Sequence, residues 1–364
     1  MVGNIHKLHK NQSSLRYSLY KEKSIAHITG FVNPVLLFYK KAVKVYNVWT
    51  MAINRPKFLR RKFTTLFPLW FFTEYLLLRG GMDFVNLFPV RVATWVSRRI
   101  GDVTFLILPA RRRVARQNLD IVFGDTKTDG EKAKIALENF RHIAVSFMEL
   151  FRAPKFVKTW EGHVTFERGK DISKALAGKK GLIVVMSHLG SWEYLAFAVR
   201  YNNCHTTILG KPIRNPYIYK YVKYLRKTAG LEHRDRDMGV RGVLRELRKN
   251  HVMAIAIDQW AGNEGLWVDF FGKTTSTTSL PARLAEKTGA PLIPAYCIRV
   301  KSGEYKIYVE PEVVIDANDE NWEENTTREL NRRLEERIRT FPEQWLWTHK
   351  RWKDKRHGTK SKLG

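Results

Sequence analysis

The chain has 364 residues, which is enough for one large α/β catalytic domain with an appended segment. Hydrophobic residues make up 44% of it and aromatic residues 12%, and this composition excludes an intrinsically disordered protein. The 64 Lys and Arg residues against 35 Asp and Glu leave a formal net charge of +29. Such an excess predicts an anionic partner, which could be a nucleic acid, an anionic lipid or a soluble acidic molecule.

The first 62 residues form a basic extension that contains a single acidic residue. Its apolar patches are short and interrupted, so we do not expect a secretory signal peptide. An aromatic-rich apolar run follows over residues 63–78, but Pro68 and Glu74 interrupt it, and a spanning helix needs about 20 apolar residues. A basic flank beside such a run is typical of a segment in the membrane interface; the alternative is an amphipathic core helix. We predict that residues 63–110 are an apolar, membrane-associating helical segment.

The rest of the chain alternates between helical and strand patterns. Helical periodicity predicts helices over residues 92–100, 111–123 and 131–151. Continuous apolar runs then predict buried strands at 182–186, 252–257 and 291–296, and a further run predicts an edge strand at 305–309. Helical stretches at 192–201, 216–229, 239–249 and 280–288 separate the strands, and residues 325–340 are predicted to form a closing helix. Strands that alternate with helices of this length indicate βαβ units. The predicted fold class is α/β, with a mixed, mostly parallel sheet flanked by helices.

A histidine and an acid follow the first predicted strand, at His188 and Glu193. Reactive groups in open α/β sheets gather beyond the carboxyl ends of the strands. A loop His188 and a carboxylate in the next helical turn can meet, with Ser191 as the helix N-cap. The imidazole can then accept a proton from a hydroxyl while the carboxylate on its other nitrogen fixes the tautomer. The alternative is a histidine that only caps a turn, with Glu193 on a solvated face.

Four blocks in order resemble the bacterial late lipid A acyltransferases, the lauroyl and myristoyl transferase family within the glycerolipid acyltransferase superfamily. They are Ser-His-Leu-Gly-Ser-Trp-Glu at 187–193, Gly-Lys-Pro-Ile-Arg-Asn-Pro at 210–216, residues 258–273 and residues 278–294. The resemblance covers roughly residues 85–353. The first block more often has Asn where Ser191 stands, and the second differs in having Lys211 where arginine is expected before proline. The resemblance implies a glycerolipid acyltransferase-like fold, with His188 and Glu193 as the catalytic pair.

The second and third blocks suggest further site residues. Lys211, Arg214 and Asn215 open a predicted helix, where cationic groups can bind phosphate oxygens of the substrate; a solvated basic turn is the alternative. Asp258 and Gln259 are substrate-binding candidates that could position the histidine or the acceptor, or could only satisfy loop amides. The pair Phe270 and Phe271 could line the slot for the acyl chain, although two adjacent aromatic residues are more often core.

The resemblance implies a membrane-associated acyltransferase at the cytoplasmic face of the cell inner membrane. Such an enzyme moves a fatty acyl chain from acyl carrier protein or acyl-CoA to a hydroxyl of an anionic lipid acceptor such as a lipid A precursor. A lysophospholipid or another glycolipid is the alternative acceptor. No cofactor is expected beyond the thioester co-substrate, no metal is expected because His188 and Glu193 form only a pair, and no nucleic acid is expected as a partner.

A non-enzymatic membrane- or RNA-binding protein is the competing class, and its support is the net charge. The sequence contains no aromatic RNA-binding pattern, zinc-ligand spacing, Gly-x-Ser-x-Gly elbow or P-loop. Cys204 and Cys297 lack paired spacing and are interpreted as structural. The expected organisation is the extension 1–62, the segment 63–110, a catalytic domain over 111–349 and a basic tail over 350–364.

Overall fold

The computed structural model describes residues 67–195, 202–235 and 239–354, so the predicted extension and most of the basic tail lie outside the description. The chain divides into two compact units, residues 1–72 and 73–364, and the sheet and site described below belong to the second. Among the helices of the described ranges, none combines the length and the apolar character needed to cross a membrane. The predicted boundary between residues 110 and 111 stays a prediction.

Among the described residues, four helices precede the sheet: α1 (Phe67–Asn86), α2 (Val90–Ile107), α3 (Pro109–Phe123) and α4 (Asp129–Phe156). The three helices predicted over 92–151 are confirmed. A capping box between Thr128 and Glu131 begins α4, because each residue's side chain accepts from the other's backbone N–H. Helix α2 packs closely on α4 at Gly101, where a Cβ atom would lie 2.5 Å from Cα of Arg141. Only a glycine permits this separation of the two backbones.

The strands that the structure describes after α4 are β1 (Val164–Glu167), β2 (Leu182–Met186), β3 (Thr206–Gly210), β4 (Leu231–Asp235), β5 (Val252–Ala256), β6 (Leu266–Phe270), β7 (Lys273–Thr277), β8 (Leu292–Lys301) and β9 (Glu304–Val309). The helices among them are α5 (Asp171–Leu176), α6 (Pro216–Thr228), α7 (Gly239–Arg248), α8 (Leu280–Thr288) and α9 (Trp322–Thr340). The predicted strands β2, β5 and β8 are therefore confirmed. Short strands with several polar residues, such as β4 and β7, have no continuous apolar run and are not predicted from the sequence.

Within the described residues, seven strands form one sheet in the order β1-β9-β8-β2-β5-β3-β4, and β6 pairs with β7 as a separate hairpin. All neighbours in the large sheet are parallel except β8 and β9. The mixed, mostly parallel sheet is confirmed. The edge position predicted for residues 305–309 is wrong, because β9 hydrogen-bonds to β1 on one side and β8 on the other.

Strand β2 lies at the centre of the sheet and is buried on both faces. Ile183 and Val185 contribute to one apolar layer, and Leu182, Val184 and Met186 contribute to the other. This alternation follows from the two-residue period of a strand. The loop after β2 therefore begins at a rigid position between two packed layers.

Candidate active site

The loop that contains His188 is held by backbone hydrogen bonds to two other parts of the chain. The Gly190 N–H donates to the carbonyl of Gln344 at 2.9 Å, and the Ser191 N–H donates to the carbonyl of Cys297 at 2.6 Å. Gly190 has a φ of +67°, and a Cβ atom there would lie 2.1 Å from the Cys297 carbonyl oxygen. The loop can follow this path only with glycine at this position.

Asp258, and not Glu193, contacts the ring of His188. Its Oδ1 lies 2.9 Å from His188 Nδ1, and its Oδ2 accepts the His188 backbone N–H at 2.8 Å. The register of β2 and β5 explains the contact: Met186 pairs with Ala256, and the histidine and the aspartate each follow by two residues. The predicted pairing of His188 with Glu193 is corrected, and Asp258, predicted to be substrate-binding, holds the histidine instead.

A third hydrogen bond fixes the Asp258 carboxylate from the other side. The indole Nε1–H of Trp345 donates to Oδ2 at 3.0 Å, and both side chains are almost completely buried. Burial raises the pKa of Asp258, but the charge of His188 and the hydrogen bonds that the carboxylate accepts together outweigh this effect, so the net pKa is lowered. The aspartate is therefore a charged, fully engaged acceptor.

The other ring nitrogen of His188, Nε2, is not in contact with Asp258. Burial lowers the pKa of His188, but the charge of Asp258 and its hydrogen bond outweigh this, so the net pKa is raised. A quarter of the side chain is exposed, and the Gln259 amide nitrogen lies 3.4 Å from Nε2. With Nδ1–H donated to the aspartate, Nε2 carries the lone pair that can accept a proton.

Glu193 is buried and forms an ion pair with Arg226 of α6. The guanidinium donates to both carboxylate oxygens, at 2.6 Å and 2.9 Å. Burial raises the pKa of Glu193, but the charge and the hydrogen bonds of Arg226, together with the charge of His188, outweigh it, so the net pKa is lowered. Arg226 also lies 2.5 Å from Nδ1 of His233, and burial together with this cation lowers the pKa of His233 to about 4. Glu193 therefore ties the short 3-10 turn Trp192–Leu195 to α6.

A second buried ion pair, between Glu149 and Arg299, contacts the loop through Ser191. The Ser191 hydroxyl donates to Glu149 Oε2 at 2.8 Å, so its expected role as a helix N-cap is corrected. Glu149 also accepts from Arg299, at 2.5 Å and 2.6 Å, and from the hydroxyl of Tyr305 at 2.8 Å. These residues come from α4, β8 and β9, and no local sequence pattern connects them. Sequence reasoning does not identify this support.

The predicted phosphate-binding residues follow strand β3, at the same edge of the sheet as His188. Strand β5 separates β3 from β2, so the ends of β2 and β3 lie about 10 Å apart. Lys211 and Arg214 are exposed there. Asn215 is buried, and its Oδ1 accepts the first two free N–H groups of α6 while its Nδ2 donates to Glu74 at 2.9 Å. The substrate-binding role predicted for Asn215 is therefore replaced by helix capping.

The predicted acyl-chain slot at Phe270 and Phe271 is also corrected. Phe270 is completely buried, and its ring lies 5.7 Å from the rings of both Trp345 and Trp352. Phe271 packs against it at 4.8 Å. Phe270 and Phe271 therefore pack with the tryptophan rings in the core beneath the site.

A small apolar cleft lies on the opposite face of the sheet. Its lining includes Met186, Trp192, Leu195 and Ile208. The ring of Trp192 lies 5.5 Å from the ring of His188, so one wall of the cleft begins beside the histidine.

Comparison with known proteins gives concordant results. Residues 62–354 match the family described as bacterial lipid A biosynthesis acyltransferase. The lipid A biosynthesis palmitoleoyltransferase of Escherichia coli is 25% identical over 284 residues, which cover 75% of this chain and 89% of that protein. The lipid A biosynthesis lauroyltransferase of the same organism is 24% identical over 292 residues, which cover 78% and 92%.

Two further similarities are more distant. A phosphatidylinositol mannoside acyltransferase of Mycolicibacterium smegmatis is 27% identical over 182 residues, which cover 49% of this chain and 59% of that protein. The crystal structure of the 1-acyl-sn-glycerophosphate acyltransferase PlsC from Thermotoga maritima aligns with 66% of this chain and 98% of its own, at 17% identity and a TM-score of 0.31.

Proposed function

Because the chain belongs to the bacterial lipid A biosynthesis acyltransferase family and is an acyltransferase, we propose that it transfers a fatty acyl chain from a thioester to a hydroxyl of a glycolipid. The names of its relatives include lipid A and phosphatidylinositol mannoside acyltransferases. Both names denote glycolipid acceptors. A lipid A precursor is the acceptor that the family match favours.

The observation that carries the proposed mechanism is the His188–Asp258 pair at the carboxyl ends of two parallel strands. Nε2 of His188 takes the proton of the acceptor hydroxyl as its oxygen bonds to the thioester carbonyl carbon. Asp258 stabilises the imidazolium that forms. The carbon–sulfur bond then breaks, and the imidazolium returns the proton to the leaving thiolate. The carboxylate and the base are already aligned, so this step needs no rearrangement of the loop.

Anionic groups of the substrates are the proposed ligands of Lys211 and Arg214. Both are exposed at the edge of the sheet that contains His188, and a phosphate there meets two cations. The donor is acyl carrier protein or acyl-CoA, both of which are anionic. The net charge of +29 favours either encounter.

The apolar cleft beside Trp192 is the proposed start of the acyl-chain site. Its lining side chains have to move apart to admit the chain, because its free volume of about 20 Å³ holds only a water molecule. Its walls are apolar side chains of the central strands, including Met186 and Ile208. Burial of each methylene group there contributes about 0.8 kcal/mol. The cleft begins close to the base, where the reacting carbonyl has to lie.

An apolar surface on α1 and α2 supports attachment to the membrane, at the cytoplasmic face of the inner membrane. Leu77, Phe84, Leu87 and Trp95 are each at least 60% exposed. Exposed apolar side chains of this size, accompanied by the basic excess of the chain, suit insertion among lipid headgroups.

The test uses the full chain purified in detergent, a labelled acyl donor and defined acceptors. We expect transfer to a lipid A precursor to exceed transfer to lysophosphatidic acid, and His188→Ala to abolish it. His163→Ala replaces an exposed histidine outside the site and is the matched control. Full transfer by His188→Ala would overturn the mechanism, and exclusive transfer to lysophosphatidic acid would overturn the acceptor class. Parallel reactions with acyl carrier protein and coenzyme A thioesters identify the donor.

A further inference from the structure

Three potential metal ligands meet at the opposite end of the sheet from His188. Strands β3 and β5 are parallel neighbours in which Thr206 pairs with Val252. The residues directly before them, His205 and His251, are therefore adjacent, and their rings lie 4.2 Å apart. Glu246, in the last turns of α7, reaches the same place and accepts from His251 Nδ1 at 2.8 Å.

The three side chains present their donor atoms in a small volume. One ligand atom from each of His205, Glu246 and His251 lies within 4.8 Å of the other two. Donors around a tetrahedral zinc ion, with bonds of about 2.0–2.1 Å, are separated by about 3.3 Å. Rotation of the exposed His205 ring closes most of the difference. Its side chain has no hydrogen-bond partner within the described residues, so this rotation breaks no existing bond.

The chemistry of the donors selects the cation. Two imidazoles and one carboxylate suit Zn²⁺, whereas Mg²⁺ and Ca²⁺ require oxygen ligands. Lys249 lies 3.5 Å from Oε1 of Glu246, so one carboxylate oxygen already faces a cation. The other oxygen, Oε2, accepts from His251 Nδ1, and zinc binding replaces this hydrogen bond with a bond from each of the two atoms to the metal.

We propose that His205, Glu246 and His251 bind one Zn²⁺ ion, with water in the fourth position. The ion joins the starts of β3 and β5 to the end of α7. His251 directly precedes the first of the five residue pairs that join β2 and β5, and His188 follows the last pair by two residues. This site therefore lies roughly 20 Å from His188 along the strands. Its role is to stabilise the fold, and the transfer reaction does not use it. No metal is expected from the sequence because His188 and Glu193 form only a pair. His205, Glu246 and His251 come together only through the register of β3 and β5, which the sequence does not show.

The test measures zinc binding by the full chain, purified without a polyhistidine tag and treated with a chelator. After dialysis against micromolar ZnCl₂ we expect about one zinc per chain by atomic emission, and none of comparable affinity with MgCl₂. Saturating zinc should raise the midpoint of thermal unfolding by about 5 °C. His205→Ala should weaken zinc binding by more than about tenfold, since even changes outside the ligand shell cost that much.

His205→Ala is the sharpest variant because its side chain is exposed and its removal leaves the core intact. Glu246→Gln tests the carboxylate, and His163→Ala, at another exposed histidine, should bind zinc like the unchanged chain. The proposal is overturned if the chelated chain takes up no zinc, or if His205→Ala takes up as much as the unchanged chain with the same thermal shift.

Discussion

The Asp258 carboxylate holds His188 by two atoms at once, the ring nitrogen Nδ1 at 2.9 Å and the backbone nitrogen at 2.8 Å. This double contact fixes the position of the residue as well as the orientation and tautomer of its ring. The acid five residues after the histidine has a different partner, Arg226, and a different task. The two carboxylates of the site are therefore distinguishable by experiment.

Asp258→Asn should lower kcat by about 10²–10⁴-fold, because an amide cannot stabilise the imidazolium and can select the wrong tautomer. The measurement is single-turnover transfer of a labelled acyl chain. Asp269→Asn makes the same change at an exposed aspartate and should keep full activity. Activity of Asp258→Asn within threefold of the unchanged chain would contradict the assignment.

The pH profile of transfer should report the raised pKa of His188. The base is active when neutral, so kcat/KM is lost as the pH falls through that pKa, at a midpoint above the ordinary value of about 6.5. In Asp258→Asn the charge that raises the pKa is gone while burial still lowers it. The midpoint should then move to lower pH. An unchanged midpoint would mean that another group controls the acidic limb.

Glu193→Ala should mainly reduce stability. It leaves the Arg226 cation buried without its partner, and breaking such a pair costs about 3–5 kcal/mol. Chemical denaturation in detergent measures the change, and Glu193→Leu combined with Arg226→Leu should recover part of it, because no buried charge remains unpaired. If the single variant kept its stability but lost kcat as completely as Asp258→Asn, Glu193 would act on the chemistry directly.

Gly190→Ala should destabilise the protein because the new Cβ atom would meet the Cys297 carbonyl at 2.1 Å. Gly272→Ala is a matched control: its φ of +68° nearly equals the +67° of Gly190, but no atom lies within 4 Å of the added Cβ. Both variants place an alanine in the left-handed backbone region at a similar cost, so the difference between their losses of stability measures the clash alone. We expect Gly190→Ala to lose at least about 2 kcal/mol more, measured by denaturation. Equal losses would show that the loop shifts at little cost.

Lys211→Ala and Arg214→Ala should each lower kcat/KM about fivefold, mainly through KM, since a basic residue near an anionic surface contributes about 1 kcal/mol. Thermal unfolding should not change, because both side chains are exposed. Lys287→Ala, on an exposed lysine in the last turn of α8, removes the same charge elsewhere and should leave KM unchanged. A loss of equal size in Lys287→Ala would indicate a general charge effect.

Local patterns predict the parts of the structure that depend on neighbouring residues in the chain. The apolar runs at β2, β5 and β8 are buried in the sheet, where only continuous hydrophobic sequence is stable on both faces. The position of His188 after β2 follows from the same pattern. Asn215 and Phe270 have side chains that suit a binding site equally well, and their capping and core roles depend on contacts that the sequence does not contain.

The sequence by itself determined the fold class and the position of His188 after a buried strand, because apolar periodicity and turn residues act over a few neighbouring positions. Only the tertiary structure decided which acid meets His188. Strands β2 and β5 are adjacent in space but separated along the chain, and their register brings His188 and Asp258 together across 70 residues. Glu193 pairs with Arg226 instead, because a buried carboxylate is stable only when a cation or hydrogen-bond donors replace the lost water.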